Sequence, residues 1–413
     1  MSRFASHLQR SRARGEQPKH SSPQDRERPQ LRLVRRGGAP PRLRLLQSGE
    51  EAFREILERV DRARERVEIR AFVWRDDETG NMLASALLRA ANRGVKITIR
   101  KDRKGANYEY YAGTHQSFFH KQIDLTQRLQ TYFLHATYPK PRGSFRQRPN
   151  VLAQALLAHE NVEISCDRRL HDHSKLYIFD ERSVVLGGMG VGDDHRKEWI
   201  DVMVALDSPE LVARLRGRLS GELPFDASRR VDFLVHNLDQ PASRGCPLLG
   251  QRLALIDSAR RSITVAMAYL GDARFGHALA RAARRGVPIT LLTSAMSDFL
   301  GAINRASCDK LLLAVGNERV RVAMLPAPMV HAKIMVIDSL IADVGSANFT
   351  PLSHGTYSEV DLFVRDASFA AQLESLVHRV AARSEQMLGR VRRNWLYEWV
   401  ERAIVAGQSF HGF

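Results

Sequence analysis

Two histidines in this 413-residue chain begin the same pattern of residue types. Counted from His173 or from His331, lysine follows at +2, aspartate at +7, glycine at +14 and a carboxylate at +28. The corresponding pairs are Lys175 and Lys333, Asp180 and Asp338, Gly187 and Gly345, and Asp201 and Glu359. The constant offset of 158 residues between the two copies indicates a duplicated unit.

These residue types suit chemistry at a phosphodiester. Side chains alternate along a strand, so HSKLYIF and HAKIMVI would each place histidine and lysine on one face. If the two copies pair about a pseudo-twofold axis, both lysines could neutralise the non-bridging oxygens of one phosphate. One neutral imidazole could then attack phosphorus while the other, protonated, gives a proton to the leaving oxygen. Asp201 and Glu359 are suited to hydrogen-bond an imidazole N–H and fix its tautomer.

A metal site is the alternative for the same histidines. His171, Asp172 and His173 offer ligand types that zinc or iron accepts. The second copy has only Met329 and Val330 before its histidine, so the repeat does not support a metal site. We therefore expect no metal and no other cofactor.

The elements that must position these residues are two β-α-β units. In the first half we predict strands over 67–74 and 95–100 around a helix over 80–95. In the second half the corresponding strands are predicted over 264–270 and 288–293, around a helix over 276–287. The sequence Arg-Gly-Val ends both helices, at 93–95 and at 285–287, as expected where a helix stops at glycine.

The chain divides into four predicted parts. Residues 1–44 are expected to be a disordered basic tail, 45–220 the first half, 221–247 a linker and 248–413 the second half. The first half carries an insertion at about 105–150 that holds nine of the thirty aromatic residues interleaved with basic ones. That composition suits a lipid interface or a nucleic-acid groove, and a local aromatic core is an equally good explanation.

The net charge of the chain indicates which classes of binding partner it favours. The net charge is +17, and residues 1–44 contain twelve basic residues against three acidic ones. Such a segment favours the anionic surface of a bilayer or a nucleic acid, although it could also be a solvated tail that only aids solubility. No apolar run is long enough to span a membrane, and the N-terminus lacks the apolar segment of a signal peptide. Three scattered cysteines indicate a reducing compartment without a disulfide framework.

The two His-x-Lys-(x4)-Asp motifs, each followed by a glycine turn, resemble those of the phospholipase D superfamily. The stretches FVWRDDETG, MVHAKIMVID and GSANFTPLS, with Glu359, are similar to bacterial cardiolipin synthases, particularly the forms without N-terminal membrane helices. The resemblance implies an α/β fold of two pseudo-symmetric αβ sandwich halves, each a mixed sheet flanked by helices, with one shared active site and no metal. It also implies phosphatidyl transfer through a phosphohistidine on His173, with His331 as the general acid.

The resemblance further assigns roles by position. Lys175, Lys333, Asn348, Asp201 and Glu359 would bind phosphate or orient the histidines, and Asp180 and Asp338 would hold turns. Residues beside the motif glycines are expected to line the substrate site: Ser346, Gly187 and Gly188. The first half departs from the family because Gly190 stands at +17, where the second half has Asn348, so one side-chain amide is missing.

The leading hypothesis is therefore a cardiolipin synthase-like phosphatidyltransferase that acts on anionic phospholipids at the cytoplasmic face of the cell membrane, as a peripheral protein. The donor would be of the phosphatidylglycerol type and the acceptor an alcohol. A phospholipase D-type phosphodiesterase, either a phospholipid hydrolase or a nuclease, is the alternative. A third hypothesis is a lipid-binding protein that lost catalysis through Gly190. Because one chain carries both motifs, we expect it to function as a monomer, with nucleic acid the less favoured partner.

Overall fold

The computed structural model describes residues 42–110, 118–119, 150–165, 171–239, 246–295, 301–386 and 399. The predicted basic tail, most of the 105–150 insertion and the C-terminal segment lie outside the described residues. Within the described ranges the chain forms two mixed sheets flanked by helices, which confirms the predicted α/β fold class.

The described helices mostly begin at a capping side chain. Ser48, Asp77 and Ser208 accept hydrogen bonds from backbone N–H groups of the first turn, which satisfies donors that the helix leaves free. The helices are α1 Gly49–Arg62, α2 Glu78–Asn92, α3 Gly105–Tyr110, α4 Val151–Ala158, α5 Pro209–Ser220, α6 Pro247–Ser258, α7 Ala273–Arg284, α8 Gly301–Val315 and α9 Ala367–Ala381, with a π-helix at Asp194–Glu198.

The first sheet has seven strands in the order β1-β8-β7-β6-β2-β3-β4. Strands β2, β3 and β4 run parallel to one another, and the remaining neighbours are antiparallel. Their bounds are β1 Arg42–Leu46, β2 Arg66–Ala71, β3 Lys96–Lys101, β4 Val162–Ser165, β6 Leu176–Phe179, β7 Ser183–Gly187 and β8 Met203–Asp207.

The second sheet repeats this arrangement. Strands β10, β11 and β12 are parallel, and β13, β14 and β15 continue the sheet in antiparallel order. Its strands are β5 His171–Asp172, β9 Val231–His236, β10 Ile263–Met267, β11 Ile289–Ser294, β12 Val320–Leu325, β13 Lys333–Ile337, β14 Ile341–Gly345, β15 Tyr357–Arg365 and β16 Glu385–Gln386.

Strands β9 and β5 do not follow the predicted division of the chain into a first half, a linker and a second half. Strand β9 lies inside the stretch predicted as a linker, and it pairs with β15 as β1 pairs with β8. This part of 221–247 therefore belongs to the second sheet. Strand β5 comes from the first half but pairs in parallel with β15 of the second, so the two halves share a sheet.

The core explains how the two sheets are held together. One apolar cluster contains inward-facing residues of both halves, among them Ile178 on β6 and Ile334 on β13. Their strand neighbours Tyr177 and Met335 point the other way, into clusters under the outer helices of each half. Each sheet is therefore apolar on both faces, and the common cluster brings the starts of β6 and β13 into one buried region.

Candidate active site

His173 lies three residues before the start of β6, and His331 lies two residues before the start of β13, so the prediction that each strand includes its histidine was wrong. The reason is a backbone contact with the opposite half. The His173 N–H donates to the Ser358 carbonyl at 2.9 Å, and the His331 N–H donates to the Ile200 carbonyl at 2.8 Å. Each histidine is thus fixed by the half that supplies the other one.

The carboxylates at +28 also pair across the halves. The Nδ1 atom of His173 lies 3.0 Å from Glu359 Oε1, and that of His331 lies 2.6 Å from Asp201 Oδ2. Glu359 and Asp201 are almost fully buried, as are both imidazoles. A carboxylate on Nδ1 fixes the ring and leaves Nε2 for chemistry. The structure therefore brings the two histidines, the two carboxylates and the two lysines of the motifs into one site.

The two imidazole–carboxylate pairs differ in their protonation. Burial lowers the pKa of His173 to about 4, against the opposing effect of Glu359. Burial alone would raise the pKa of Glu359, but the His173 imidazole and Lys175 lower it to about 2. Burial raises the pKa of Asp201 to about 7. At neutral pH, Glu359 is therefore ionised beside a neutral His173, whereas Asp201 is close to its own midpoint.

The two lysines contact the histidine of their own motif. Lys175 Nζ donates to the His173 carbonyl at 2.5 Å, and Lys333 Nζ lies 2.9 Å from His331 Nδ1 and 3.1 Å from its Nε2. Burial lowers the pKa of Lys175 to about 7. Burial, followed by the adjacent Lys333 ammonium group, lowers the pKa of His331 well below its usual value. When protonated, the two lysines favour an anionic ligand at this site, and a bound anion would in turn favour the protonated form of Lys175.

The residues predicted to line the substrate site lie against the carboxylates. The Ser346 hydroxyl donates to Glu359 Oε2 at 2.5 Å. A Cβ atom on Gly188 would lie 2.3 Å from Asp201 Oδ1, and one on Gly187 would lie 2.4 Å from the Val202 carbonyl. Both glycines are therefore required for close packing around Asp201. Direct contact of these residues with a substrate stays a prediction.

Asn348 is buried two residues after Ser346, the residue whose hydroxyl contacts Glu359. Its backbone N–H donates to the Ser353 hydroxyl at 3.1 Å, and its side-chain Oδ1 has no hydrogen-bond partner among the residues that the structure describes. A buried amide oxygen without a partner is costly, so a bound ligand would be expected to satisfy part of this side chain.

Asp180 and Asp338 lie at the far ends of β6 and β13, away from the histidines. Asp180 accepts hydrogen bonds from the backbone N–H groups of 64–66, and Asp338 accepts them from those of 260–262. Partial burial opposes ionisation, but these donors lower the pKa of both carboxyl groups. Both residues have positive φ, 51° and 57°, so the carboxylates hold tight turns.

Both motifs carry an aromatic residue at +26 that was not predicted to belong to the site. The Tyr357 ring stacks on His173 with centroids 5.3 Å apart, and the Trp199 ring lies 5.0 Å from His331. Each aromatic comes from the opposite half, two residues before the carboxylate that binds the same histidine. The repeated spacing was a signal that could have identified them. Phe72, at 4.7 Å from His173, and His195, at 4.8 Å from His331, gave no such signal.

One group of described side chains has the ligand types of a metal site. Ligand atoms of His195, Asp201 and His331 all lie within 4.8 Å of one another. The ammonium group of Lys333 lies against the same His331 ring, and at 2.9 Å it would repel a divalent cation. The arrangement fits an anion better. His171 is not part of this group, so the metal alternative considered from the sequence is not the one the geometry offers.

Comparison with protein-family models shows which family the chain belongs to. The family model described as the PLD-like domain of cardiolipin synthase matches residues 56–221 and 253–381, which is most of the chain. The chain belongs to this family. The predicted resemblance is thereby confirmed.

Named relatives of this phospholipase D-like chain agree with that result. Cardiolipin synthase B of Escherichia coli O6:H1 (strain CFT073) is 26% identical over 378 residues, covering 86% of this chain and 84% of its own. Cardiolipin synthase A of Proteus mirabilis (strain HI4320) is 24% identical and covers 88% and 72% respectively.

Solved structures show the same fold. The phosphatidylserine synthase of Haemophilus influenzae Rd KW20 superposes with a TM-score of 0.63 at 14% sequence identity, over 89% of this chain and 94% of its own. The polyphosphate kinase of Porphyromonas gingivalis gives a TM-score of 0.51 over 89% of this chain. Within the described ranges of this phospholipase D-like protein, no helix combines the length and the apolar character needed to cross a membrane.

Proposed function

We propose that this protein transfers phosphatidyl groups between phospholipids, as a cardiolipin synthase does, through a phosphohistidine intermediate. The observation that carries the proposal is the crosswise pairing of two motif histidines with two buried carboxylates, beside two lysines. Membership of the cardiolipin synthase family supports phospholipids as the substrate class. The donor would be phosphatidylglycerol or a similar lipid, and the acceptor the alcohol of a second phospholipid.

In the first step His173 Nε2 attacks the phosphorus atom, and the bond from phosphorus to the head-group alcohol breaks. His173 suits this role because its pKa of about 4 leaves the ring neutral, with the ionised Glu359 accepting from Nδ1–H. His331 gives its proton to the leaving oxygen. The pair that it forms with Asp201 can hold a proton near neutral pH, because burial raises the pKa of Asp201 to about 7.

In the second step the acceptor alcohol attacks the phosphohistidine and gives its proton back to the His331–Asp201 pair. The phosphorus–nitrogen bond breaks, and His173 returns to its starting state. Lys175 and Lys333 would neutralise the non-bridging oxygens in both steps. The net products from two phosphatidylglycerol molecules are cardiolipin and glycerol.

We also propose that the reaction takes place at the cytoplasmic face of the cell membrane, with the protein bound peripherally. The net charge of +17 supports this location, since both the substrates and the bilayer surface are anionic.

Lipid analysis after expression in bacteria unable to make cardiolipin tests the proposal. The wild-type protein should restore cardiolipin, and His331→Ala should not. His277→Ala is a matched control, because this histidine is exposed on α7. Absence of cardiolipin with the wild-type protein folded and membrane-bound would exclude the synthase reaction.

The same experiment distinguishes transfer from hydrolysis. A hydrolase would release phosphatidic acid from phosphatidylglycerol and form no cardiolipin when acceptor lipid is in excess. Parallel incubation of the purified protein with labelled DNA tests the nuclease alternative. Cleavage of DNA without turnover of lipid would contradict the proposed substrate class.

A further inference from the structure

The first half of the site lacks the side-chain amide that the second half has at +17, and the ring of His195 occupies the space beside that position. Gly190 stands at +17, where the second motif has Asn348. A Cβ atom built on Gly190 would lie 2.8 Å from Nε2 and 3.1 Å from Cδ2 of the His195 ring. Any side chain at position 190 would therefore compete with His195 for the same space.

The second half has an equivalent of His195, which is Ser353, and it lies beside residue +17 in the same way. His195 is at +22 from its motif histidine, and Ser353 is at +22 from the other. The Ser353 hydroxyl accepts a hydrogen bond from the Asn348 backbone N–H at 3.1 Å. In both halves residue +22 thus adjoins residue +17. The first half combines glycine with a large polar ring, and the second combines asparagine with a small hydroxyl.

The His195 ring reaches the centre of the site. Its centroid lies 4.8 Å from that of His331, with the planes at 80°, and 4.5 Å from that of Trp199. His195 is only 4% exposed, and its Nδ1 has no hydrogen-bond partner in the part of the chain that the structure describes. Asn348 Oδ1 shares this property. A buried polar atom without a partner is unfavourable, and a hydrogen bond to a ligand would offset that cost.

The backbone around His195 is firmly held. Its N–H donates to Asp194 Oδ1 at 2.9 Å, and Asp194 in turn pairs with Arg75 at 3.0 Å. These residues form the short π-helix Asp194–Glu198, an element often found at functional sites. The ring is therefore directed at His331 by the local structure.

We propose that His195 is the first half's counterpart of Asn348 and donates a ring N–H to a non-bridging oxygen of the phosphoryl group bound between His173 and His331. The inference rests on the proposed function, because it concerns a phosphoryl group bound at that site. A neutral imidazole has one N–H to donate. Burial keeps the ring in this form, because it lowers the pKa of His195 to about 3. No proton is transferred, and no bond in the ring is made or broken.

A swap of the two side chains tests this assignment. We expect His195→Ala to lower kcat by about 10²- to 10³-fold, the loss seen when one oxyanion donor is removed. Gly190→Asn alone should also lower kcat, because the new side chain collides with the His195 ring. The double variant Gly190→Asn, His195→Ala should recover to within about fivefold of the wild type, since it places an asparagine at +17 beside a small side chain at +22, as in the second half. His277→Ala serves as the exposed control.

Each variant is assayed on phosphatidylglycerol vesicles and on bis(p-nitrophenyl) phosphate, a phosphodiester without lipid. If the wild-type enzyme cleaves only bis(p-nitrophenyl) phosphate, the proposed phosphatidyl transfer is contradicted. The activities of the variants on that compound then still test the role of His195. A double variant no more active than His195→Ala overturns the inference, as does a His195→Ala enzyme at more than half the wild-type rate.

Two further measurements exclude other roles for the ring. If His195→Ala does not fold, as judged by thermal melting, His195→Asn replaces it and should keep at least a tenth of kcat, because its amide can still donate. A His195→Asn rate as low as that of His331→Ala overturns the inference. Loss of wild-type activity in EDTA, restored by zinc, would instead make His195, Asp201 and His331 a metal site and also overturn it.

Discussion

The two histidines of the site have carboxylate partners with opposite protonation preferences. Glu359 is held ionised beside His173, whereas burial raises the pKa of Asp201, beside His331, to about 7. The asymmetry arises although the motifs repeat. The His173 imidazole, followed by Lys175 and the Ser346 hydroxyl, outweighs burial and lowers the pKa of Glu359, whereas burial dominates at Asp201. The difference supports the proposal that His173 is the nucleophile and that the His331–Asp201 pair carries the shuttled proton.

The protonation states predict a bell-shaped dependence of kcat/KM on pH. The nucleophile must be unprotonated, and since the pKa of His173 is lowered to about 4, activity should fall only as pH drops toward that value. The general acid must be protonated, so activity should also fall as pH rises through about 7, the value to which the pKa of Asp201 is raised. Assays on a soluble short-chain phospholipid would measure both limbs.

Substitution of the carboxylates provides the check on this profile. Glu359 raises the pKa of His173, so Glu359→Gln should move the acid limb to lower pH. Asp201→Asn should alter the alkaline limb and lower kcat by a factor on the order of 10² to 10⁴, as expected for loss of an imidazole partner. An acid limb near pH 6.5 that Glu359→Gln leaves in place would contradict the assignment.

At the scale of the elements, β6 and β13 connect the site to a distant turn. Asp180 and Asp338 each accept backbone N–H groups from the loop before β2 or β10, so they fix the end of the strand that the histidine precedes. We therefore expect them to contribute to stability and not to the chemistry.

Asp180→Ala and Asp338→Ala should each lower the free energy of unfolding by about 1–3 kcal/mol, because three backbone donors lose a charged acceptor. Urea denaturation measures the change, and kcat of the folded fraction should stay within a few-fold of the wild type. Asp207→Ala is the matched control, since this exposed carboxylate forms a surface ion pair with Arg59, and its loss should cost less than about 1 kcal/mol. Loss of kcat comparable to that of His173→Ala would contradict a structural role.

The sequence pattern allowed most of these elements to be predicted, because hydrophobic periodicity and the Arg-Gly-Val turns act locally. Strands β2, β3, β10 and β11 and the helices between them lie where expected, within a few residues. The starts of β6 and β13 were placed too early. Their histidines are held by carbonyls of Ser358 and Ile200 in the opposite half, and a local pattern contains no information on such contacts.

At the scale of the whole molecule, the duplication was visible from five matched residues at four fixed spacings, and it led to the predicted two-sheet fold and single site. The crosswise pairing of histidines and carboxylates was not predictable, since it depends on how the two sheets face each other across their common core. The replacement of the amide at +17 by the ring of His195 had no sequence signal for the same reason.

The basic tail gives a prediction for the whole chain. Truncation of residues 1–41 removes most of the tail's positive charge, and at roughly 1 kcal/mol per basic residue near an anionic surface it should weaken binding to phosphatidylglycerol vesicles by at least tenfold. Vesicle sedimentation measures binding, and kcat on a soluble short-chain substrate should change less than threefold. A tail of scrambled sequence and equal charge should restore binding. Equal binding with and without the tail would contradict its role as a membrane anchor.

The central claim, that His173 forms a covalent phosphohistidine, is tested most directly by trapping the intermediate. Brief incubation with a phosphatidylglycerol analogue labelled in its phosphate, followed by rapid denaturation at alkaline pH and peptide mass mapping, should locate the phosphatidyl group on His173. His331→Ala should reduce the trapped amount, and His173→Ala should abolish it. A label on His331 in the wild-type enzyme, or label retained by His173→Ala, would contradict the account.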